Sequence, residues 1–338
     1  MRSFWALGFL FFLTACSSSH YLSKGRAFRL TPVSFNDLNG WQQDSLKDAL
    51  PALQRSCSKQ PVGFESFCIG LTSVNTDVEL RKLVENTLQP YKVTSRGSEY
   101  GKITGYYEAE LTGTRYHENG AQMPIYGAPL DYQNGEKYPS RASIENKGLK
   151  DAKIIAWADN PIDLFIMHVQ GSGRMITPDG EVLQLGYAGN NGRDFTGIGS
   201  ILKEEGVDPS IANSMPRIRE WCMAHPNVAS KLMQKNERYI FFKELAGDGP
   251  IGSAGVALTP KRSLAVDTNY IPMHTPMWLE TTTPDGAPIR QLMMAQDTGS
   301  AIKGGIRADF FWGYGKEAFQ TAGHMNQKGS YYLLLPKK

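Results

Sequence analysis

A chain of 338 residues, 41% hydrophobic and 20% charged, has the composition of a globular protein and is long enough for one large domain or two ordinary ones. Its net charge of +3, from 36 basic and 33 acidic residues, is spread without a basic stripe or run, which argues against a nucleic-acid partner. Fifteen Phe, fifteen Tyr and six Trp leave aromatics beyond a core and suit a polymer-binding groove, although buried aromatics also simply pack.

Arg2 and the apolar run Phe4 to Leu13 read as a signal peptide over residues 1–15, because the run is shorter than the about 20 residues of a membrane span. Leu13-Thr14-Ala15-Cys16 places small residues before a cysteine and resembles a bacterial lipobox. Cys16 would then be the lipidated first residue of the mature protein. Ser17 after it resembles the signal for the outer membrane, so the expected location is lipid-anchored and facing the periplasm. Residues 16–40 are expected as a tether. Among the remaining thiols, an exported chain favours a bridge between Cys57 and Cys68, with Cys222 in the core.

Helical signals follow at Gln42 to Ser56 and Thr76 to Leu88. Thr76 and Glu79 form a capping-box pattern ahead of Leu80, Leu83, Val84 and Leu88 on one face. From about Lys102 short apolar runs separated by Gly and Pro suggest an all-β texture. Strands are expected at Ile103 to Leu111, Leu164 to Gln170, Tyr239 to Phe242, Met277 to Glu280, Leu292 to Gln296 and Tyr331 to Leu335. Helices interrupt them at Thr196 to Glu205, after Ser214 and from Pro226. The class is mainly β with a helical fringe.

The six His are dispersed without HExxH or a paired His-Cys spacing, so no metal and no other cofactor is expected. His168 reads as an interior histidine. Gly171-Ser172-Gly173 lacks the spacing of a nucleophile elbow. Asp297-Thr298-Gly299 looks like an aspartic-protease turn, but that chemistry needs a second such copy, and Asp267-Thr268-Asn269 lacks the glycine. Asp309, followed by Phe310, Phe311 and Trp312, would sit in a dry site where desolvation raises a carboxyl pKa and keeps a proton available. Local chemistry leaves two readings open: an acid site between Asp297 and Asp309, or turn aspartates beside core aromatics.

Six motifs occur together and in order: Thr104-Gly105-Tyr106-Tyr107-Glu108, Pro124-Ile125-Tyr126, Phe165 to Gly173, Gly186-Tyr187-Ala188-Gly189, Phe241-Phe242-Lys243 and Ala265-Val266-Asp267. With the segment from Asp297 to Gly315, this series resembles the membrane-bound lytic murein transglycosylase A family and its aspartate-named 3D domain. The resemblance covers roughly residues 40–338. It implies a double-psi β-barrel built from residues 41–105 and 243–338, with a β-rich substrate-binding domain inserted at 106–242. It implies cleavage of the β-1,4 bond between N-acetylmuramic acid and N-acetylglucosamine in peptidoglycan glycan strands, ending in 1,6-anhydromuramic acid. Carried over, Asp309 is the single general acid/base and Asp297 its support. Thr104, Tyr106, Gln170, Gly171, Ser172, Tyr187, Lys303 and Asp267 would line the groove, with tyrosine rings stacking on sugars and polar tips bonding acetamido and hydroxyl groups. Lys303 would meet a substrate carboxylate or pair with Asp297. The stretch from Gly304 to Asp309 is one residue longer than in some members. Two further readings stay open: an inverting hydrolase in which Asp297 activates water, and a wall-binding lipoprotein without catalysis.

Overall fold

The computed structural model describes residues 28–120, 122–247 and 249–337; the expected signal peptide, Cys16 and the first part of the expected tether lie outside the described residues. The rest of the expected tether is not a tether. Residues Phe28–Pro32 form strand β1, paired antiparallel with β2 (Leu88–Ser95), and Phe28 is buried.

Between these strands lie three helices, α1 (Leu50–Cys57), α2 (Glu65–Leu71) and α3 (Asp77–Thr87). The capping box of α3 forms as the sequence suggests. Glu79 N–H donates to Thr76 Oγ1 at 3.2 Å, and Thr76 N–H donates to the Glu79 carboxylate at 3.0 Å, so two otherwise orphaned donors are met. Leu80 and Val84 face inward. Cys57 and Cys68 are joined in a disulfide with their Cα atoms 5.4 Å apart, tying α1 to α2.

Strand β3 (Gly101–Thr114) is 14 residues long and serves two sheets. Past it come β4 (Met123–Pro129), α4 (Arg141–Lys147), β5 (Ala152–Ala158), α5 (Pro161–Gln170), β6 (Gly173–Ile176) and β7 (Val182–Asn190). Four short helices follow, α6 (Ile198–Glu204), α7 (Pro209–Ala212), α8 (Met215–Ala224) and α9 (Pro226–Met233), and then β8 (Ile240–Glu244). The C-terminal part supplies β9 (Ser263–Val266), β10 (Pro276–Thr282), β11 (Pro288–Asp297), β12 (Arg307–Tyr314), α10 (Gly315–His324) and β13 (Asn326–Pro336).

The pairings define the architecture. β13 pairs with β10, β10 with β11, β11 with β9, β9 with β12, β12 with β3, and β3 again with β13. These strands close a circuit around an apolar interior that includes Ile103, Leu264, Met277, Met293, Phe310 and Leu333. α1, α2 and α3 cover its outside through Trp278, Leu292 and Leu334. The far half of β3 leaves the circuit and pairs with β6, which continues through β7 to β8. This second sheet packs with α5 to α9 in its own core. The mainly β class with a helical fringe therefore holds.

One expected strand is a helix. Leu164 to Gln170 lies within α5, whose start is fixed by Pro161 in its first turn and by the Asn160 side chain, which accepts from Ile162 N–H at 2.8 Å. Gly171 ends it at φ 82°, in the left-handed region open to glycine. The helix is buried on nearly every side, Ile162 and Leu164 to His168 alike, so it carries no 3.6-residue periodicity to distinguish it from a central strand. His168 is interior, as expected: its Nδ1 accepts from Ile240 N–H at 3.0 Å. Burial, aided by the Arg141 cation, holds it neutral with a pKa well below the ordinary histidine value. Ser214 precedes α8 without capping it through its side chain; its hydroxyl lies 3.0 Å from His324 Nε2 instead.

Candidate active site

Strand register alone brings the two aspartates together. Asp297 at the end of β11 is opposite Ala265 of β9, Ala265 is opposite Asp309 of β12, and Asp309 is opposite Thr104 of β3. Register partners share a face of the sheet. Asp297, Asp309 and Thr104 thus form one row across four strands, with only the Ala265 methyl between the carboxyls. At about 4.8 Å per strand spacing the two aspartate backbones are about 10 Å apart.

Asp309 alternates on β12 with Ala308 and Phe310, which point into the circuit's interior. Its Oδ1 accepts from Thr104 Oγ1 at 2.6 Å, and Arg307 Nη2 donates to the same Thr104 oxygen at 2.8 Å. Burial pushes the Asp309 pKa above the usual carboxylate value. The Thr104 hydroxyl and Arg307 cation pull against this, while Asp297 adds to it. Burial thus acts on this carboxyl in the direction expected of a dry site.

Asp297 is held differently. Its Oδ1 accepts from Ser253 N–H, Ser253 Oγ and Thr298 N–H, each at 2.9 Å. Burial raises this pKa too, against those donors. Tyr106, expected as a stacking ring, packs on Phe311 with centroids 5.1 Å apart. Its hydroxyl is buried close to Asp297 but short of a well-formed hydrogen bond. Burial and then the two carboxylate charges push the Tyr106 pKa well up, so it remains a proton donor beside the acid pair.

Asp267 is buried, and its carboxylate is spent on the loop. Oδ2 accepts from Gly304 N–H at 2.8 Å, and Oδ1 from Asn269 N–H and Nδ2 at 3.1 and 3.0 Å. Burial alone would raise its pKa, but these donors and the Lys303 charge prevail and lower it. Lys303 is exposed and acts on Asp267; no Lys303–Asp297 ion pair occurs among the described residues. The stretch before Asp309 is pinned: Gly304 is tied to Asp267, and the Tyr331 hydroxyl donates to the Gly305 carbonyl at 2.5 Å.

The remaining groove candidates gather at one end of the second sheet. β3 and β6 run parallel from Ala109↔Gly173, and β6 meets β7 from Gly173↔Leu185. Gln170 ends α5, Gly171 closes it in the left-handed conformation and Ser172 leads into β6 at Gly173, while Tyr187 lies on β7 two residues past Leu185, the partner of Gly173. Tyr187 is 49% exposed, and its hydroxyl accepts from Asn190 Nδ2 at 2.6 Å, so its ring is available to a ligand.

Two residues of the site were not anticipated. Arg307 lies two positions before Asp309 on the same strand, a period-2 spacing that carried the signal. Ser253 comes from a loop 44 residues away from Asp297, with nothing local to announce it. Among the described residues no cluster of three or more His, Cys, Asp or Glu that could hold a metal occurs, and no helix is long and apolar enough to cross a membrane.

Comparison with known proteins places the chain in a family. The MltA specific insert domain matches residues 102–243 and the 3D domain matches residues 262–335. A membrane-bound lytic murein transglycosylase A homolog of Buchnera aphidicola is 33% identical over 246 residues, spanning 70% of this chain and 67% of the relative. The crystal structure of MltA from Neisseria gonorrhoeae superposes with a TM-score of 0.85 at 30% identity, covering 93% of this chain and 94% of that one. E. coli MltA with bound chitohexaose superposes with a TM-score of 0.73 at 25% identity, covering 95% and 98%. This chain belongs to the membrane-bound lytic murein transglycosylase A family.

Proposed function

We propose that the chain is a peptidoglycan lytic transglycosylase, a lyase that breaks the β-1,4 bond from N-acetylmuramic acid to N-acetylglucosamine and leaves a 1,6-anhydromuramic end. The observation that carries this is the Asp297–Ala265–Asp309–Thr104 row, in which one carboxyl is free to exchange a proton and the other is committed. Asp309, whose pKa burial raises, gives its proton to the glycosidic oxygen as the C1–O bond breaks. The muramic 6-hydroxyl then bonds to C1 and returns a proton to Asp309. No water is consumed and the acid is regenerated. Asp297 faces the positive charge that develops at C1 and sustains the raised pKa of Asp309.

The inverting-hydrolase reading needs Asp297 as a free base. Three donors on one of its oxygens make that oxygen a poor proton acceptor. Mass analysis of muropeptides released from purified sacculi decides between the two. Anhydro ends are one water lighter than hydrolysis products, and a product set carrying the full water would sink the lyase reading.

The finer parts of this reading rest on the same resemblance. We read the closed strand circuit as a double-psi β-barrel formed by residues 41–105 and 243–338, with 106–242 as the substrate-binding insert. Lipidated Cys16 would fix the enzyme to the outer membrane facing the periplasm, where it turns over the wall. Radiolabelled palmitate incorporation, lost in Cys16→Ser, tests the anchor.

A further inference from the structure

The face of β3 that carries Thr104 and Tyr106 continues to Glu108, since alternate residues share a face. Four residues at about 3.3 Å each put Glu108 about 13 Å along the strand from the acid's partner Thr104. Its side chain is buried, and its Oε2 accepts from Arg174 Nε at 2.9 Å and Nη2 at 2.5 Å. Its Oε1 is buried without a partner. The Arg174 guanidinium in turn lies 3.5 Å from the centroid of the Tyr314 ring, and Tyr314 is 54% exposed.

Tyr314 reaches this place through a break in register. β12 follows β3 from Arg307↔Lys102 to Phe311↔Tyr106, then skips a residue so that Tyr314 stands opposite Glu108. Gly313, at φ 97°, supplies the left-handed turn of that bulge. Without the extra residue Tyr314 would alternate onto the other face; with it, Tyr314 joins the row of Asp309, Thr104 and Tyr106. A bulge beside an acid site, re-aiming an exposed aromatic ring whose inner side is backed by a buried ion pair, has the form of a ligand platform and not of core packing.

We propose that Tyr314 stacks on an N-acetylhexosamine ring of the glycan strand, beyond the sugar whose bond is broken, with Arg174 and Glu108 as positioning residues that hold the ring flat. This rests on the lytic transglycosylase reading for its ligand. The guanidinium covers one side of the ring and leaves the other for a sugar, whose C–H face suits an aromatic surface. The Glu108 contacts stop Arg174 from turning, so the platform is fixed before the strand arrives.

The test uses the mature chain carrying Asp309→Asn, with chitohexaose and chitotriose as probes in calorimetric titration. That parent should bind the hexamer more tightly than the trimer. Adding Tyr314→Ala or Tyr314→Leu should weaken hexamer binding about tenfold, as expected for loss of an aromatic stack, and remove its advantage over the trimer; Tyr314→Phe should restore it. Glu108→Gln with Arg174→Gln should reduce the hexamer's advantage while the thermal midpoint stays within a few degrees. Unchanged hexamer affinity in both Tyr314→Ala and Tyr314→Leu overturns the platform and leaves the lytic transglycosylase reading standing. A parent that binds neither oligosaccharide overturns the groove reading, and the platform with it.

Discussion

The end of β11 and the middle of β12 each place an aspartate opposite the same residue, Ala265, and burial raises the pKa of both. What separates them is the company each carboxyl keeps. Asp297 holds three donors on one oxygen, two of them backbone N–H groups that cannot turn away. Asp309 holds one hydroxyl donor, itself bonded to Arg307, and its second oxygen accepts no hydrogen bond from a described residue. Burial therefore sets the direction of both shifts, but the hydrogen-bond partners decide which group can hand over a proton and recover it. Exchanging these roles by mutation should fail, and the failures should differ in size.

The largest effect is expected at Asp309. Asp309→Asn keeps an oxygen for the Thr104 hydroxyl but has no proton to give, so turnover of sacculi should fall by about a thousandfold, within the range ascribed to general acid–base catalysis. Stability should move the other way. The folded Asp309 holds its proton to a higher pH than the unfolded side chain, which titrates near 3.8, so ionising it works against the fold. The Asn variant should melt at a higher temperature than the wild type above the raised folded pKa. That advantage should shrink as pH falls from the raised value towards 3.8 and vanish below it. A lower midpoint for Asp309→Asn at neutral pH would show that the carboxylate stabilises the fold, contrary to the burial argument.

Asp297→Asn should cost less, about a hundredfold in kcat, the lower end of what losing one preorganised electrostatic contact costs, because the proton itself is kept. It should also shift the pH profile. Asp297 raises the Asp309 pKa; without that charge Asp309 loses its proton at lower pH, and the basic limb of kcat/KM should move to the acid side. Arg307→Gln should move the same limb the opposite way, because the Arg307 cation lowers the Asp309 pKa, with a change of only a few-fold at neutral pH. Shifts in the same direction for both variants would break the assignment of Asp309 as the titrating acid.

How much of this was legible in the sequence depended on whether the signal was local. The capping box at Thr76 could be read from neighbouring residues, whereas β12, the strand that carries Asp309, was not among the expected strands, its glycine-rich surroundings reading as a turn. Phe310 and Phe311 beside the acid are both buried, but Phe310 points into the circuit's interior, on the face opposite Asp309, which the run of aromatics alone did not tell. α5 was misread because an all-round apolar helix shows no period, although Asn160, Pro161 and Gly171 marked its two ends. Tyr106 packs on Phe311, a contact no local pattern announces, since it depends on β3 lying parallel to β12. Ser253 and the register that sets Asp297 opposite Ala265 are products of tertiary pairing between distant segments, which no local pattern records.

Ser253 offers the finest test of the contrast between the two aspartates. Ser253→Ala removes the Oγ donor to Asp297 and keeps the backbone N–H, so the carboxyl loses one of its three donors and should stay in place. That donor lowers the Asp297 pKa; without it Asp297 is protonated over a wider pH range and spends less time charged. A less charged Asp297 supports Asp309 less. The basic limb should then move in the same direction as in Asp297→Asn but by a smaller amount, with a rate loss of about two- to threefold, as for one modest hydrogen bond. A shift as large as that of Asp297→Asn would mean that Ser253 holds the loop and not merely the charge. No shift, with the rate lowered, would place the role of Asp297 in geometry, and the electrostatic half of the comparison would have to be given up.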